Sequence, residues 1–284
     1  MYILSFILIS IIATLLFLFF GQYQVQGEII YWSIPLLLIA FFLAAIIFWL
    51  IIIIIIALIV PANKKQDGRP NKVFHYIVPA LASFICEIFG LDIDLKGIEK
   101  LPEDKQYLLV SNHQSNLDPI STVSIFYKHR LGYLTYIMKD AILKIPVVGH
   151  ILLKAGFLAI DRKNNRKAVE TIILAAKKIE KGHHSIGLYP EGTRSAGPEM
   201  IKFRNGAFKI AQKAKCPIAV LIIDNGYRVK RRFPWRRTKI LLEVIEVIEY
   251  EQYKDMNTNE IGAIVHQKME EKLNVRRKEL QYLK

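Results

Sequence analysis

The first sixty residues contain no lysine or arginine and one acid, Glu28. Residues 2–20 form a nearly unbroken apolar run and residues 29–60 a second, separated by Gly21-Gln22-Tyr23-Gln24-Val25-Gln26-Gly27-Glu28. A helix needs about 20 apolar residues to cross the hydrocarbon of a bilayer. The second run exceeds that length and the first just reaches it, so residues 1–60 are predicted to form a transmembrane helical hairpin. A secretory signal would open with basic residues and end at a small-residue cleavage site, and neither is convincing here. Bases begin after the second run, at Lys64, Lys65, Arg69 and Lys72. The positive-inside tendency therefore predicts an integral protein of the cell membrane, its remaining chain on the cytoplasmic face.

Charge and size bound that remainder. Residues 61–284 carry all 39 Lys and Arg against 24 Asp and Glu, a net +15. Residues 61–72, with Pro61, Gly68 and Pro70, are expected to be a polar linker. Residues 73–284 are long enough for one domain with a large core. Two cysteines, Cys86 and Cys216, provide no disulfide framework and no zinc spacing, and are expected to be buried thiols.

Within this domain, Tyr107-Leu108-Leu109-Val110, the run from His184 to Pro190, and residues 217–223 are short and apolar, as buried strands are. Between them, Ala168, Val169, Ile172, Ile173, Ala176 and Ile179 recur at helical spacing. Lys177, Lys178 and Lys181 then precede Gly182, which matches a helix end. A further helix is expected at residues 206–215, and Asn257 to Glu260 resembles a capping box opening a last helix towards Leu280. Strands alternating with helices predict an α/β domain with a mixed, largely parallel sheet flanked by helices. Residues 73–89 suit either a core helix or one lying on a membrane surface.

The chemistry concentrates in Ser111-Asn112-His113-Gln114-Ser115-Asn116-Leu117-Asp118-Pro119 and, 73 residues after Asp118, in Glu191-Gly192-Thr193-Arg194. His113 would leave a strand end, while Asp118-Pro119 has the form of a helix start with Asp as N-cap. Across such a turn the two side chains can meet, although an i, i+5 pair within one helix cannot. An imidazole held in one tautomer by a carboxylate can take a hydroxyl proton near neutral pH. The plain alternative is that Asp118 only caps a helix and His113 only ends a strand. Glu191 to Arg194 follows another strand. Gly192 permits close backbone approach, Thr193 offers a hydroxyl, and Arg194 offers a planar fork for phosphate. An ordinary polar turn is the alternative there.

Four ordered blocks carry a family resemblance: Asn112 to Asp118, then Gly156-Phe157-Leu158-Ala159-Ile160-Asp161-Arg162, then Pro190 to Ser195, then Cys216-Pro217-Ile218-Ala219-Val220. The chain resembles the glycerolipid acyltransferase family over residues 70–250, most closely its bacterial 1-acylglycerol-3-phosphate O-acyltransferases. The resemblance implies His113 as general base with Asp118 as its partner. It also implies that Glu191, Gly192, Thr193, Arg194 and Arg162 hold the glycerol phosphate of the acceptor, with Lys139 near that phosphate. The fourth block departs from the family's usual form, because Val220 stands where a second proline is usual.

The implied reaction transfers a fatty acyl group from an acyl thioester to the free hydroxyl of 1-acylglycerol 3-phosphate, making phosphatidate. The thioester is already activated, so no metal or cofactor is expected beyond acyl-CoA or acyl carrier protein as co-substrate. Ser115, Thr193 and Ser195 lack a base geometry that would make them nucleophiles. The expected partners are membrane lipids, the lysophosphatidate acceptor and the thioester donor, not nucleic acid. Arg228, Lys230, Arg231, Arg232, Arg236 and Arg237 surround Phe233 and Trp235. This cluster suits anionic headgroups, an acidic carrier protein, or solvent. Glycerol 3-phosphate or another lysolipid as acceptor is an alternative; a lipid or thioester hydrolase and a non-catalytic membrane-binding protein are more remote.

Overall fold

The computed structural model describes residues 2–20, 33–60, 70–162 and 164–279. The chain divides into two compact units, residues 1–61 and 62–284.

In the first unit, α1 (Tyr2–Phe20) and α2 (Ser33–Ile59) lie antiparallel. Phe6 meets Trp49 edge to face at 5.8 Å between ring centroids, and Phe17 meets Phe41 at 5.9 Å. Ser10 and Thr14 are buried on α1, with the Thr14 hydroxyl donating to the Ser10 carbonyl at 2.8 Å. Back-bonding of this kind satisfies a hydroxyl in apolar surroundings. Among the described residues, α2 alone is long and apolar enough to cross a membrane. The predicted hairpin thus becomes one helix of spanning length with a shorter apolar companion. Residues 21–32, expected as its loop, and residues 61–69 of the expected linker lie outside the described residues.

The second unit opens with α3 (Phe74–Ile88) and β1 (Leu91–Lys96), followed by β2 (Leu108–Ser111) and α4 (Asp118–Lys128). Next come β3 (Leu134–Lys139), the short α5 (Asp140–Leu143) and α6 (Val148–Lys154), and β4 (Leu158–Ile160). Then α7 (Asn165–Glu180), β5 (Ser185–Leu188), α8 (Lys209–Ala214) and β6 (Ile218–Asp224) follow. The unit continues with α9 (Val229–Arg232), β7 (Thr238–Ile248), α10 (Tyr250–Tyr253) and α11 (Thr258–Glu279).

Among the described residues the strands form one sheet in the order β1-β7-β6-β2-β5-β3-β4. β6, β2, β5, β3 and β4 are mutually parallel, whereas β7 runs antiparallel to β6 and carries β1 parallel to itself. This is the expected mixed, largely parallel sheet. Its central strands β2, β5 and β6 are buried at every residue, which explains their continuous apolar sequence. The core built on them takes Ile179 from α7, Phe208 and Ile210 around α8, and Val265, Met269 and Leu273 from α11.

α3 packs as a core helix. Its Phe74, Val78, Ala82 and Phe84 are buried, and Ser83 exchanges a 2.8 Å hydrogen bond with Ser124 of α4. Both cysteines are buried free thiols. Burial raises Cys86 to about 11 and Cys216 to about 12, far from the range in which a thiolate reacts. The predicted helix at 206–215 is split into a 3-10 turn over Asn205–Phe208 and α8. The capping box forms as expected: Asn257 accepts from the Glu260 N–H, and Glu260 from the Asn257 N–H.

Candidate active site

Because β2, β3, β4, β5 and β6 are parallel, the residues following them share one edge of the sheet, where open α/β sheets receive ligands. Asn112 ends β2 by pinning it to β6. Its side-chain amide donates to the Ile223 carbonyl and accepts from the Ile223 N–H, both at 2.8 Å. The amide thereby substitutes for one more residue of strand pairing, and His113 is released at a fixed point.

His113 Nδ1 lies 2.9 Å from Asp118 Oδ2. The same oxygen accepts the backbone N–H groups of Gln114 at 2.6 Å and Ser115 at 2.8 Å. This corrects the capping expectation. Asp118 is the first residue of α4, Leu117 holds the capping position, and no side chain caps the helix. The carboxylate instead turns back into the loop, because three donors converge on one oxygen there. Asp118 is 1% exposed, and its Oδ1 has no hydrogen-bond partner among the described residues. Gly226 closes over that oxygen, where an added Cβ would lie 2.8 Å from it.

Aromatic rings support the imidazole. His113 stacks on Tyr189 with centroids 4.0 Å apart and planes 14° apart, and Tyr189 stacks in turn on Tyr136 at 5.2 Å. Tyr136 of β3 is in register with Gly187 of β5, and a Cβ at 187 would meet the Tyr136 ring at 2.5 Å. The glycine thus makes room for the ring that supports Tyr189. Tyr189, Tyr136 and Gln114 were not anticipated as site residues. The glycine inside an otherwise apolar strand was the available signal, since such glycines mark close approach. The Gln114 side chain bonds Asp224 Oδ1 at 3.0 Å and the Gly226 N–H at 3.2 Å. Arg277 of α11 in turn bonds Asp224 Oδ2 at 3.2 Å and the Pro198 carbonyl.

Glu191 is placed differently from a surface phosphate ligand. It is 2% exposed, accepting the His113 N–H at 2.7 Å on one oxygen and the Ile201 N–H at 3.1 Å on the other. It therefore joins the loop after β2 to the loop after β5, as does the 2.8 Å bond from the Ser195 N–H to the His113 carbonyl. Burial raises its carboxyl from the ordinary 4.5 to about 7, against the opposing pull of the two N–H donors. A raised acid favours the protonated folded state. Its contribution to stability is full below about 4.5 and is lost as pH rises through about 7. Glu191→Gln is expected to remove this decline, although its amide cannot accept both N–H groups and the variant starts less stable. Thermal unfolding of the two proteins between pH 5 and pH 8 checks this; parallel declines would refute it.

Gly192 adopts φ +71°, and a Cβ there would meet the Arg204 side chain at 2.9 Å. Arg162 follows β4, where Lys139 of β3 is in register with Ile160. Burial lowers the Arg162 pKa and the nearby Arg204 charge lowers it further, while Asp140 opposes them. Two guanidiniums close enough to repel make an anion favourable between them. Thr193, Arg194 and Lys139 are exposed, and neither Arg194 nor Lys139 has an ion-pair partner among the described residues. Ser115 Oγ accepts the Leu117 N–H and Ser195 Oγ donates to the Gly197 carbonyl, so both are occupied within their loops.

The acyltransferase family's sequence model matches residues 92–224. The chain is 27% identical over 202 residues to the 1-acyl-sn-glycerol-3-phosphate acyltransferase of Haemophilus influenzae, covering 69% of this chain and 82% of that one. It is 26% identical over 216 residues to the enzyme of the same name from Escherichia coli, covering 76% and 83%. The crystal structure of the 1-acyl-sn-glycerophosphate acyltransferase PlsC from Thermotoga maritima shares the fold, with a TM-score of 0.61 at 20% identity over 81% of this chain and 89% of that one. The residues matched by the acyltransferase model run from the first strand of the sheet through the loops that carry His113, Asp118 and Glu191, so the likeness to that family spans the candidate site itself.

Proposed function

We propose that this acyltransferase moves a fatty acyl group from an acyl thioester to the free hydroxyl of 1-acylglycerol 3-phosphate, making phosphatidate for phospholipid synthesis. The observation that carries the reading is the 2.9 Å His113–Asp118 pair on the same sheet edge as the Arg162–Arg204 pair. β2 and β4 are three positions apart in the sheet, roughly 14 Å at the usual spacing between strands.

Asp118 holds the proton on Nδ1 of His113, which leaves Nε2 as the basic nitrogen. Nε2 takes the acceptor's hydroxyl proton as the oxygen attacks the thioester carbonyl carbon. Collapse of the tetrahedral adduct breaks the C–S bond, and the departing thiolate takes the proton back from the imidazolium. The Tyr189 face and the Asp118 carboxylate both favour the imidazolium formed in between. Holding acceptor and thioester beside one base makes the encounter local. The donor is acyl-CoA or an acyl carrier protein thioester, and no further cofactor takes part. Arg162, Arg194, Arg204 and the Gly192 turn hold the phosphate, with Lys139 at its margin. α2 anchors the protein in the cell membrane with the catalytic domain on the cytoplasmic face, where a water-soluble donor arrives.

The test is the purified full-length protein, offered lysophosphatidate, glycerol 3-phosphate and a lysolipid lacking a phosphate monoester, each with both thioester types. Phosphatidate with equal release of thiol is expected, identified by mass. Free fatty acid as the main product would assign hydrolysis, and preference for glycerol 3-phosphate would reassign the acceptor. Arg194→Ala is expected to raise KM for lysophosphatidate about 10- to 100-fold, the worth of one charged hydrogen bond. KM for the donor should hold, and an equal loss with a neutral acceptor would contradict the role.

A further inference from the structure

Acyl transfer gives no reason for the composition of the chain between Asp224 and Glu243. This stretch has no carboxylate and seven bases, four of them between Arg228 and Arg232. It also holds the exposed Trp235, at 88%, and Phe233, at 39%. Tryptophan is on average a well-buried residue, so an indole left almost wholly uncovered needs a reason.

The segment is held in shape. Val229 of α9 is buried, and the Phe233 and Arg236 N–H groups donate to the Val229 and Arg232 carbonyls, both at 2.9 Å. The Phe233 ring leans on Phe89, just past α3, at 4.7 Å, and the Thr238 N–H bonds the Gly90 carbonyl at 3.0 Å. Lys230, Arg231, Trp235, Arg236 and Arg237 are exposed on this fixed frame. Its location follows from β6. Gly226, three residues before Val229, covers Asp118 and donates to Gln114, so the segment begins beside the proposed base.

We propose that residues 228–237 form an interfacial wedge that seats the catalytic domain on an anionic phospholipid bilayer. Trp235 enters the boundary between headgroups and acyl chains, and the surrounding bases lie among lipid phosphates. Indoles favour that boundary because one part of the ring system is apolar and its N–H is polar. Each base near an anionic surface adds to the attraction, which falls off within a screening length of about 10 Å at 0.1 M salt. An acidic carrier protein also complements the charge, but an acceptor and product that both reside in the bilayer favour the lipid surface. That preference rests on the acceptor assignment, whereas the binding measurement does not.

The experiment uses the full chain carrying Trp32→Phe and Trp49→Phe, which leaves Trp235 as its one tryptophan. It is reconstituted into vesicles of phosphatidylcholine alone or mixed with phosphatidylglycerol. In anionic vesicles Trp235 emission is expected to move to shorter wavelength and to be quenched by lipids brominated near the headgroup end of the acyl chain. Both effects should be weaker in phosphatidylcholine and lost on Lys230→Glu, Arg231→Glu and Arg236→Glu together. Solvent-like, unquenched emission in anionic vesicles at low salt would overturn the proposal. So would emission that changes only on adding acyl carrier protein, which would make the surface a protein-docking site. Quenching in a sample inactive on lysophosphatidate would overturn the acceptor assignment and leave the wedge standing.

Discussion

His113→Ala is expected to lower kcat by about 10²–10⁴-fold, the usual contribution of a positioned general base. The fold should survive. The imidazole is partly exposed and stacks on Tyr189, while the loop's main tethers use backbone groups: the His113 N–H to Glu191 and the His113 carbonyl to the Ser195 N–H. Alanine keeps both. Thermal unfolding beside steady-state kinetics separates chemistry from folding. A variant that retains most of its kcat, or that unfolds many degrees earlier, would count against the assignment.

The second large effect belongs to Asp118. Asp118→Ala removes the acceptor for the imidazole and strands the Gln114 and Ser115 N–H groups, each costing about 1–3 kcal/mol when left buried without a partner. The expected loss in kcat matches that of His113→Ala, and the double variant should be no worse than either single one, because the two residues act as a unit. Asp118→Asn is more discriminating. Two backbone N–H groups aim at the oxygen facing His113, so an amide there presents its oxygen and keeps the imidazole tautomer. What goes is the negative charge that favours the imidazolium. The charge-assisted bond is about twice as strong as a neutral one, so an intermediate loss of roughly 10-fold is expected. Asparagine as damaging as alanine would mean that the ring had changed tautomer.

The legible parts of the fold were those whose reasons are local. β2, β5 and β6 are covered on both faces, so each reads as an apolar run. β1 and β7 were not foreseen. Asp92 and Asp94 interrupt β1, and Glu243 and Glu246 interrupt β7. Glu243 is buried because Arg276, thirty-three residues later, bonds both its oxygens, at 2.6 and 2.8 Å, and Lys272 lies 3.4 Å away. No window along the sequence contains that pairing.

The candidate site divides in the same way. The His113–Asp118 spacing and the Glu191 to Arg194 turn stand out because each is confined to a few consecutive residues. The ring column under His113 depends on strand register, and the Asp224–Arg277 tie depends on where α11 packs. Glu191 was expected beside the phosphate. Its burial between two loops follows from the backbone N–H groups of His113 and Ile201, which have no residue signature at all.

The fit of Gly187 against the Tyr136 ring has an evolutionary consequence. The two positions are a single heritable unit, because neither can change size without tilting the column that ends at His113. A lineage that gained alanine at 187 first would pass through a misaligned base before any ring had shrunk. Drift must therefore begin at 136, and homologues with a side chain at 187 should carry a smaller residue there.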